Sequence, residues 1–257
     1  MDSLDNSKLN TGLKPAMLII NPVSGKKLAL RYIPQMIRAL MDGGYLVTTV
    51  VTAKRGDATE FAARYGRQYE LICCTGGDGT LNEVINGAVG FDNAAVTHFP
   101  GGSGNDMIKM FSETAPFSDL ERLLDCDEAQ FDLIRCNETH SANILSMGLD
   151  ARIGTEIARY KKLPLLSGHG AYLASTLVNL IKGISQHFVI TLDDGTRLDD
   201  KFTLICACNG RWYGGGFNPV PEAEPDDGLL DVLVVEKVSL LQVASVIGHY
   251  QKGRYAD

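Results

Sequence analysis

Three short segments hold the side chains best suited to chemistry: Asn21-Pro22-Val23-Ser24-Gly25-Lys26, Thr75-Gly76-Gly77-Asp78-Gly79-Thr80-Leu81-Asn82 and Pro100-Gly101-Gly102-Ser103-Gly104-Asn105-Asp106. Each mixes glycine with hydroxyl, amide or carboxylate side chains. Glycine admits positive φ and lets a ligand come close to the backbone. The first N–H groups of a helix have no intrahelical partners, so a loop that opens a helix offers them to an anion. Together these features point to phosphate. Asp78 is the most informative residue. A carboxylate among anion-binding amides repels phosphate unless a Mg²⁺ lies between them, or unless it orients an attacking hydroxyl. An isolated Asp-Gly reads as a turn; between two other glycine loops, the phosphate reading is preferred. None of the three segments fits GxxxxGK[ST] or GxGxxG. Asn82 is placed for a phosphate, while Asp106 reads as a helix cap.

The elements that must position these loops are strands and helices in alternation. Met17–Ile20, Tyr45–Val51, Leu71–Cys74 and Ala94–Phe99 read as strands, two of them, Met17–Ile20 and Leu71–Cys74, continuous apolar runs of the kind buried on both faces. Leu28–Met41, Ala58–Tyr65 (capped by Asp57) and Leu81–Val89 have helical spacing. The alternation predicts an α/β fold: a three-layer domain over residues 15–130, with helices on both faces of a parallel sheet. The glycine loops then share one sheet edge, at the carboxyl ends of the strands, where open α/β sheets bind ligands.

From residue 131 the pattern changes. Phe131–Arg135, His140–Met147, His187–Leu192, Phe202–Cys208 and Leu229–Val235 read as strands, with a turn at Asp193-Asp194-Gly195 and a helical insertion over Ile153–Ile184. This predicts a second, antiparallel, β-sandwich-like domain over residues 131–257.

Composition narrows the function. With 45% hydrophobic residues in 257, the chain can bury a real core, and its net charge of −7 argues against a nucleic-acid partner. Met1–Asn10 is polar and acidic, and Ala171–Ile184 is broken by Asn179 and Lys182. Neither reads as a signal or a membrane span, and a cytosolic location is expected. The six cysteines form no CxxC pair and read as free thiols; the five histidines show no metal spacing. Leu163–Ile184, preceded by Tyr160-Lys161-Lys162, offers an apolar face with a basic edge, read either as core packing or as contact with lipid. Arg211-Trp212-Tyr213 reads as a buried aromatic plug.

Asn21–Gly25, Gly76–Gly87 (GGDGTLNEVING) and Pro100–Asp106 resemble the three nucleotide motifs of the diacylglycerol kinase catalytic family. Asn143–Ala151 (NILSMGLDA), Gly214-Gly215-Gly216 and Pro221–Asp231 (PEAEPDDGLLD) resemble that family's β-domain signatures. The resemblance runs from Met17 to Tyr255. It implies an ATP-dependent lipid kinase, with ATP contacts at Asn21, Pro22, Ser24, Gly25, Thr52, Gly76, Gly77, Asp78, Gly79, Thr80, Leu81, Asn82 and Ser103. Ser103 stands where many bacterial members have threonine. It also implies a structural Mg²⁺ held by Asp227 and the backbone oxygens of Glu224 and Leu229; a metal-free acidic turn at Asp226-Asp227-Gly228 is the alternative. Asp78 with Mg²⁺ would organise the triphosphate, so Asp78 is the catalytic candidate.

One family feature is missing. The general base implied by the resemblance is a glutamate in an Asp-Gly-Glu segment, and no such segment occurs in the 257 residues. The expectation is a chain short of its closing strands, binding ATP and Mg²⁺ but phosphorylating lipid poorly, with an open β edge suited to self-association as a homodimer. Asp150 is the sole stand-in base, with a structural role as its alternative. Two other functions stay open: an NAD kinase-like phosphotransferase, because that distant family shares the Gly-Gly-Asp-Gly-Thr segment, and a non-catalytic ATP-binding regulator.

Overall fold

The computed structural model describes residues 12–111, 115–160 and 183–255. Lys161-Lys162, His169 and nearly all of Leu163–Ile184 lie outside the described residues, so the lipid-contact reading of that stretch is not addressed. The chain divides into two compact units: Met1–Phe131 with Arg135–Ala142, and Asp132–Ile134 with Asn143–Asp257.

The first unit is built on four parallel strands, β1 (Lys14–Ile20), β2 (Tyr45–Val51), β3 (Leu71–Gly76) and β4 (Ala95–Pro100), in the order β2-β1-β3-β4. Successive side chains on a strand point to opposite faces. Met17 and Ile19 therefore pack on one face with Ile72, Cys74, Leu81 and Val84, while Ala16, Leu18 and Ile20 pack on the other with Met36, Leu40 and Leu120. Helices α2 (Asp57–Tyr65) and α3 (Asp78–Ala88) cover the first face; α1 (Ile33–Asp42) and the short α4 (Leu120–Leu124) cover the second. Both faces are buried, as the continuous apolar runs require. Each fully buried aliphatic side chain contributes about 1.5–3 kcal/mol.

Helix boundaries differ from expectation for local reasons. The stretch expected to be one helix from Leu28 is a 3₁₀ segment over Ser24–Tyr32 followed by α1. Pro34 sits in the first turn of α1, where its missing N–H costs nothing. Asp57 does not cap α2. Gly56 is the N-cap, at φ +92°, and the Asp57 carboxylate instead accepts the N–H groups of Ala53 (2.7 Å) and Lys54 (2.9 Å). These two bonds hold the Asp57 carboxyl below the usual carboxylate range.

In the second unit β9 (Arg197–Cys208) is the central strand, antiparallel to β7 (Ile144–Gly148), β8 (Gln186–Thr191) and β10 (Asp231–Glu236). The expected turn closes the β8–β9 hairpin: Leu192 N–H donates to Thr196 O at 2.9 Å, and Gly195 has φ +85°. The strand expected over 140–147 is split into β6 (Thr139–Ser141) and β7, and that expected over 131–135 shortens to β5 (Ile134–Cys136), which pairs with β6. Helix α5 (Leu149–Tyr160) begins the insertion. Helix α6 (Leu240–Tyr250) starts with a capping box between Ser239 and Gln242. Cys206 and Cys208 are buried free thiols on β9, as Cys73 and Cys74 are on β3.

The contact between α2 and α3 depends on Gly87. A Cβ there would lie 2.5 Å from Thr59 O and 2.6 Å from Ala62 Cβ. The nearest atom belongs to backbone, which cannot swing aside. Gly87→Val should therefore destabilise the protein by about 1–3 kcal/mol in urea unfolding; unchanged stability would show that the helices can part at this point without loss.

Candidate functional site

The chain leaves β1 toward β2 on one side of the sheet and leaves β3 toward β4 on the other. The strand order thus reverses between β1 and β3, and a crevice forms beyond such a switch point. Asn21, the first residue after β1, reaches across it. Its Nδ2 donates to Thr80 Oγ1 at 2.9 Å, its N–H to Thr75 O at 3.0 Å, and its Oδ1 accepts Val23 N–H at 3.2 Å. Ser24 Oγ donates to Gly101 O at 2.9 Å, which links the first loop to the third.

Asp78 joins the second loop to the third. Its Oδ1 accepts the N–H groups of Asp106 (2.5 Å) and Met107 (3.3 Å). Among the described residues its Oδ2 accepts no hydrogen bond. The third loop is shaped within itself: Asn105, at φ +49°, exchanges two 3.0 Å side-chain bonds with the Gly102 backbone.

Direct backbone contact sets the spacing. A Cβ on Gly25 would lie 2.0 Å from Gly101 O, and one on Gly102 would lie 2.4 Å from Gly77 Cα. At these two positions glycine is required by close approach.

Three expectations are corrected here. Helix α3 starts at Asp78, with Gly77 as N-cap, so Asp78, Gly79 and Thr80 form its first turn. The first and third loops open 3₁₀ segments, Ser24–Tyr32 and Met107–Met110, so the free N–H groups of an α-helix are offered by α3 alone. Asp106 makes no side-chain cap; it is buried and paired with Lys109 at 2.5 Å.

Pro22, Ser24, Gly25, Gly76, Gly77 and Asp78 lie in or beside the contacts just described, and Gly79, Asn82 and Ser103 are exposed. Leu81, 4% exposed, packs in the core, so its side chain is no ligand contact. Thr52 follows β2 and donates through both N–H (2.9 Å) and Oγ1 (3.3 Å) to Ile20 O at the end of β1.

Two residues passed over in the sequence take part. Asn86 donates to His140 O (2.8 Å) and accepts His140 N–H (2.7 Å), tying α3 to the β6 segment. His98, 2% exposed, places Nε2 2.9 Å from Gly76 O. Burial pushes its pKa below the ordinary imidazole value, against the opposing pulls of the Gly76 bond and the Asp78 charge. The one signal for His98 in the sequence is its position two residues before a glycine loop.

In the second unit Tyr213 OH donates to Asp150 Oδ2 (2.9 Å) and lies 2.7 Å from Tyr250 OH, which sits 3.8 Å from Cys206 Sγ. Burial raises the pKa of Asp150, outweighing its hydrogen bonds to Tyr213 and Ala151. Tyr213, expected as an aromatic plug, is half-buried and works through its hydroxyl. At the acidic turn, Asp227 Oδ1 accepts Leu229 N–H (2.9 Å) and Asp132 Oδ2 accepts Gly228 N–H (2.7 Å). Two carboxylates thus meet at one turn, a hard-oxygen donor set that suits Mg²⁺. Among the described residues no group of three or more His, Cys, Asp or Glu side chains comes together, so backbone oxygens would have to complete the set.

Residues 15–136 match the family model described as the diacylglycerol kinase catalytic domain, and residues 143–257 the one described as the YegS C-terminal NAD kinase beta sandwich-like domain. The chain is 28% identical over 246 residues to a diacylglycerol kinase of Staphylococcus saprophyticus, covering 94% of this chain and 79% of that protein. It is 25% identical over 251 residues to the diacylglycerol kinase of Bacillus subtilis, covering 95% and 81%. A crystal structure of a putative diacylglycerol kinase from Bacillus anthracis shares the fold, with a TM-score of 0.72 at 24% identity, covering 97% of this chain and 81% of that one.

The Asp78 clamp predicts a graded effect on stability. Asp78→Ala should lose about 1–3 kcal/mol by urea unfolding, because two partly buried N–H groups lose a charged acceptor. Asp78→Asn keeps a carbonyl acceptor and should lose less than half of that; equal losses would mean the clamp contributes nothing. Asp150 predicts a pH dependence. Its folded-state carboxyl binds its proton more tightly than the unfolded one, whose value is 3.8. Its contribution is therefore most favourable below that value and declines as pH rises through the raised folded pKa. Unfolding measured from pH 4 to 7 should show this decline in the wild type and its absence in Asp150→Asn; parallel profiles would contradict the assignment.

Proposed function

The chain belongs to the diacylglycerol kinase catalytic-domain family, and from that premise we propose that it transfers the γ-phosphoryl group of ATP to a lipid hydroxyl, diacylglycerol being the first candidate. The observation that carries the reading is the convergence of three glycine loops at the β1–β3 switch point, around the first turn of α3. In the transfer, the acceptor oxygen bonds to the γ-phosphorus as the bond to the bridging oxygen breaks; ADP leaves and the hydroxyl proton is released. Charge on the moving group is spread over its oxygens, so positioning and charge neutralisation are the protein's main work. The amides at the start of α3 would meet that charge, and Asp78 would hold the Mg²⁺ that arrives with ATP, which would neutralise charge on the triphosphate.

The structural Mg²⁺ proposed for the second unit would be held by Asp227 and the backbone oxygens of Glu224 and Leu229. It would stiffen the turn and take no part in the transfer. No helix among the described residues is long and apolar enough to cross a membrane; action as a peripheral protein at a membrane surface fits a lipid substrate.

Incubation with γ-labelled ATP, Mg²⁺, a mixed lipid extract and NAD should yield label in an organic-soluble product, and Asp78→Ala should reduce it by roughly 10²-fold or more. Label on NAD instead would favour the NAD kinase-like reading. ATP binding with no labelled product from any acceptor would leave the non-catalytic regulator.

A further inference from the structure

We infer that His98 is a positioning residue for the anion loop: it pins the Gly76 carbonyl from behind and so fixes the direction of the Gly77 N–H. The inference rests on the nucleotide reading for the identity of the ligand, but not for the geometry. Gly76 O receives two donors, Gly101 N–H at 2.6 Å from the strand end beyond β4, and His98 Nε2 at 2.9 Å. A carbonyl oxygen can only accept, so Nε2 carries the hydrogen and the ring is the Nε2–H tautomer. Its Nδ1 is buried with no hydrogen-bond partner among the described residues. The bond to Gly76 O is thus the one hydrogen bond of this ring among the described residues.

The consequence passes through the peptide plane. The Gly76–Gly77 unit is planar and trans, so its C=O and N–H point in opposite directions. Holding the carbonyl toward His98 turns the Gly77 N–H the other way, immediately before the first turn of α3. This peptide has glycine on both sides, the pair of residues least able to resist rotation of the unit between them. A flipped peptide would present a carbonyl oxygen to the anion in place of an N–H. Two donors on Gly76 O oppose that flip: one is the Gly101 N–H just past β4 and the other is supplied by His98 alone.

Substitution separates this role from plain packing. Gln can place its Nε2 where the imidazole Nε2 lies, whereas Leu fills the space without a donor. In the full chain, His98→Leu should weaken binding of Mg²⁺ and ATP about tenfold by calorimetry, the worth of one hydrogen bond, while His98→Gln should stay within about threefold of the wild type. Without ligand, His98→Leu should speed hydrogen exchange at Gly77, and His98→Gln should not. Long-range ¹H–¹⁵N spectra of the wild type should show His98 as the neutral Nε2–H tautomer. Equal binding and exchange in His98→Leu and wild type, equal defects in Leu and Gln, or an Nδ1–H tautomer would each overturn the inference. Failure of the wild type to bind ATP would sink the nucleotide reading alone, because the tautomer and the exchange at Gly77 would still decide the role of His98.

Discussion

Backbone contact between loops, closer than any side chain permits, is the constraint on which the first unit's chemistry depends. Gly25 meets Gly101, and Gly77 meets Gly102, at distances that leave no room for a Cβ. Loops this close share their polar groups: Asp78 of the second serves amides of the third, and Ser24 of the first serves a carbonyl of the third. The result is a wall of backbone atoms whose shape is fixed before any ligand arrives. Preorganisation of this kind matters most for phosphoryl transfer, where there is little covalent chemistry for the protein to perform.

The sheet makes that constraint achievable. Parallel strands deliver their carboxyl ends to one edge, and the reversal of strand order between β1 and β3 opens the crevice there. The buried faces of β1 and β3 anchor the loops to a core that does not yield easily, since Ala16 through Ile20 and Ile72 through Cys74 are at most 3% exposed. The order of the site is therefore inherited from packing several residues away. The second unit uses a different device, a chain of half-buried hydroxyl and carboxyl groups running from Asp150 through Tyr213 to Tyr250.

Much of this was legible in the sequence because it is local. Apolar runs marked β1 and β3, glycine marked the loops, and Asp193-Asp194-Gly195 marked the hairpin turn. What escaped was of two kinds. Helix starts shifted where a few residues tipped a local balance, as with Pro34 at α1 and Gly77 as the cap of α3. Side-chain roles shifted where partners lie far apart in the chain: Asp78 finds its amides 28 and 29 residues away, and Asn86 finds His140 across 54. A pattern of residue types says which groups are present, while such pairings follow only from the fold. Asp106, read as a cap, instead gives its N–H to Asp78 and its carboxylate to Lys109.

The central claim is that three loops form one anion site. Amide hydrogen exchange of the intact chain, with and without Mg²⁺ and ATP, tests it most directly. The account predicts that added protection concentrates in residues 21–25, 76–82 and 101–106 together, with the flanking strands unchanged. Protection confined to one loop, or appearing only elsewhere in the chain, would contradict it.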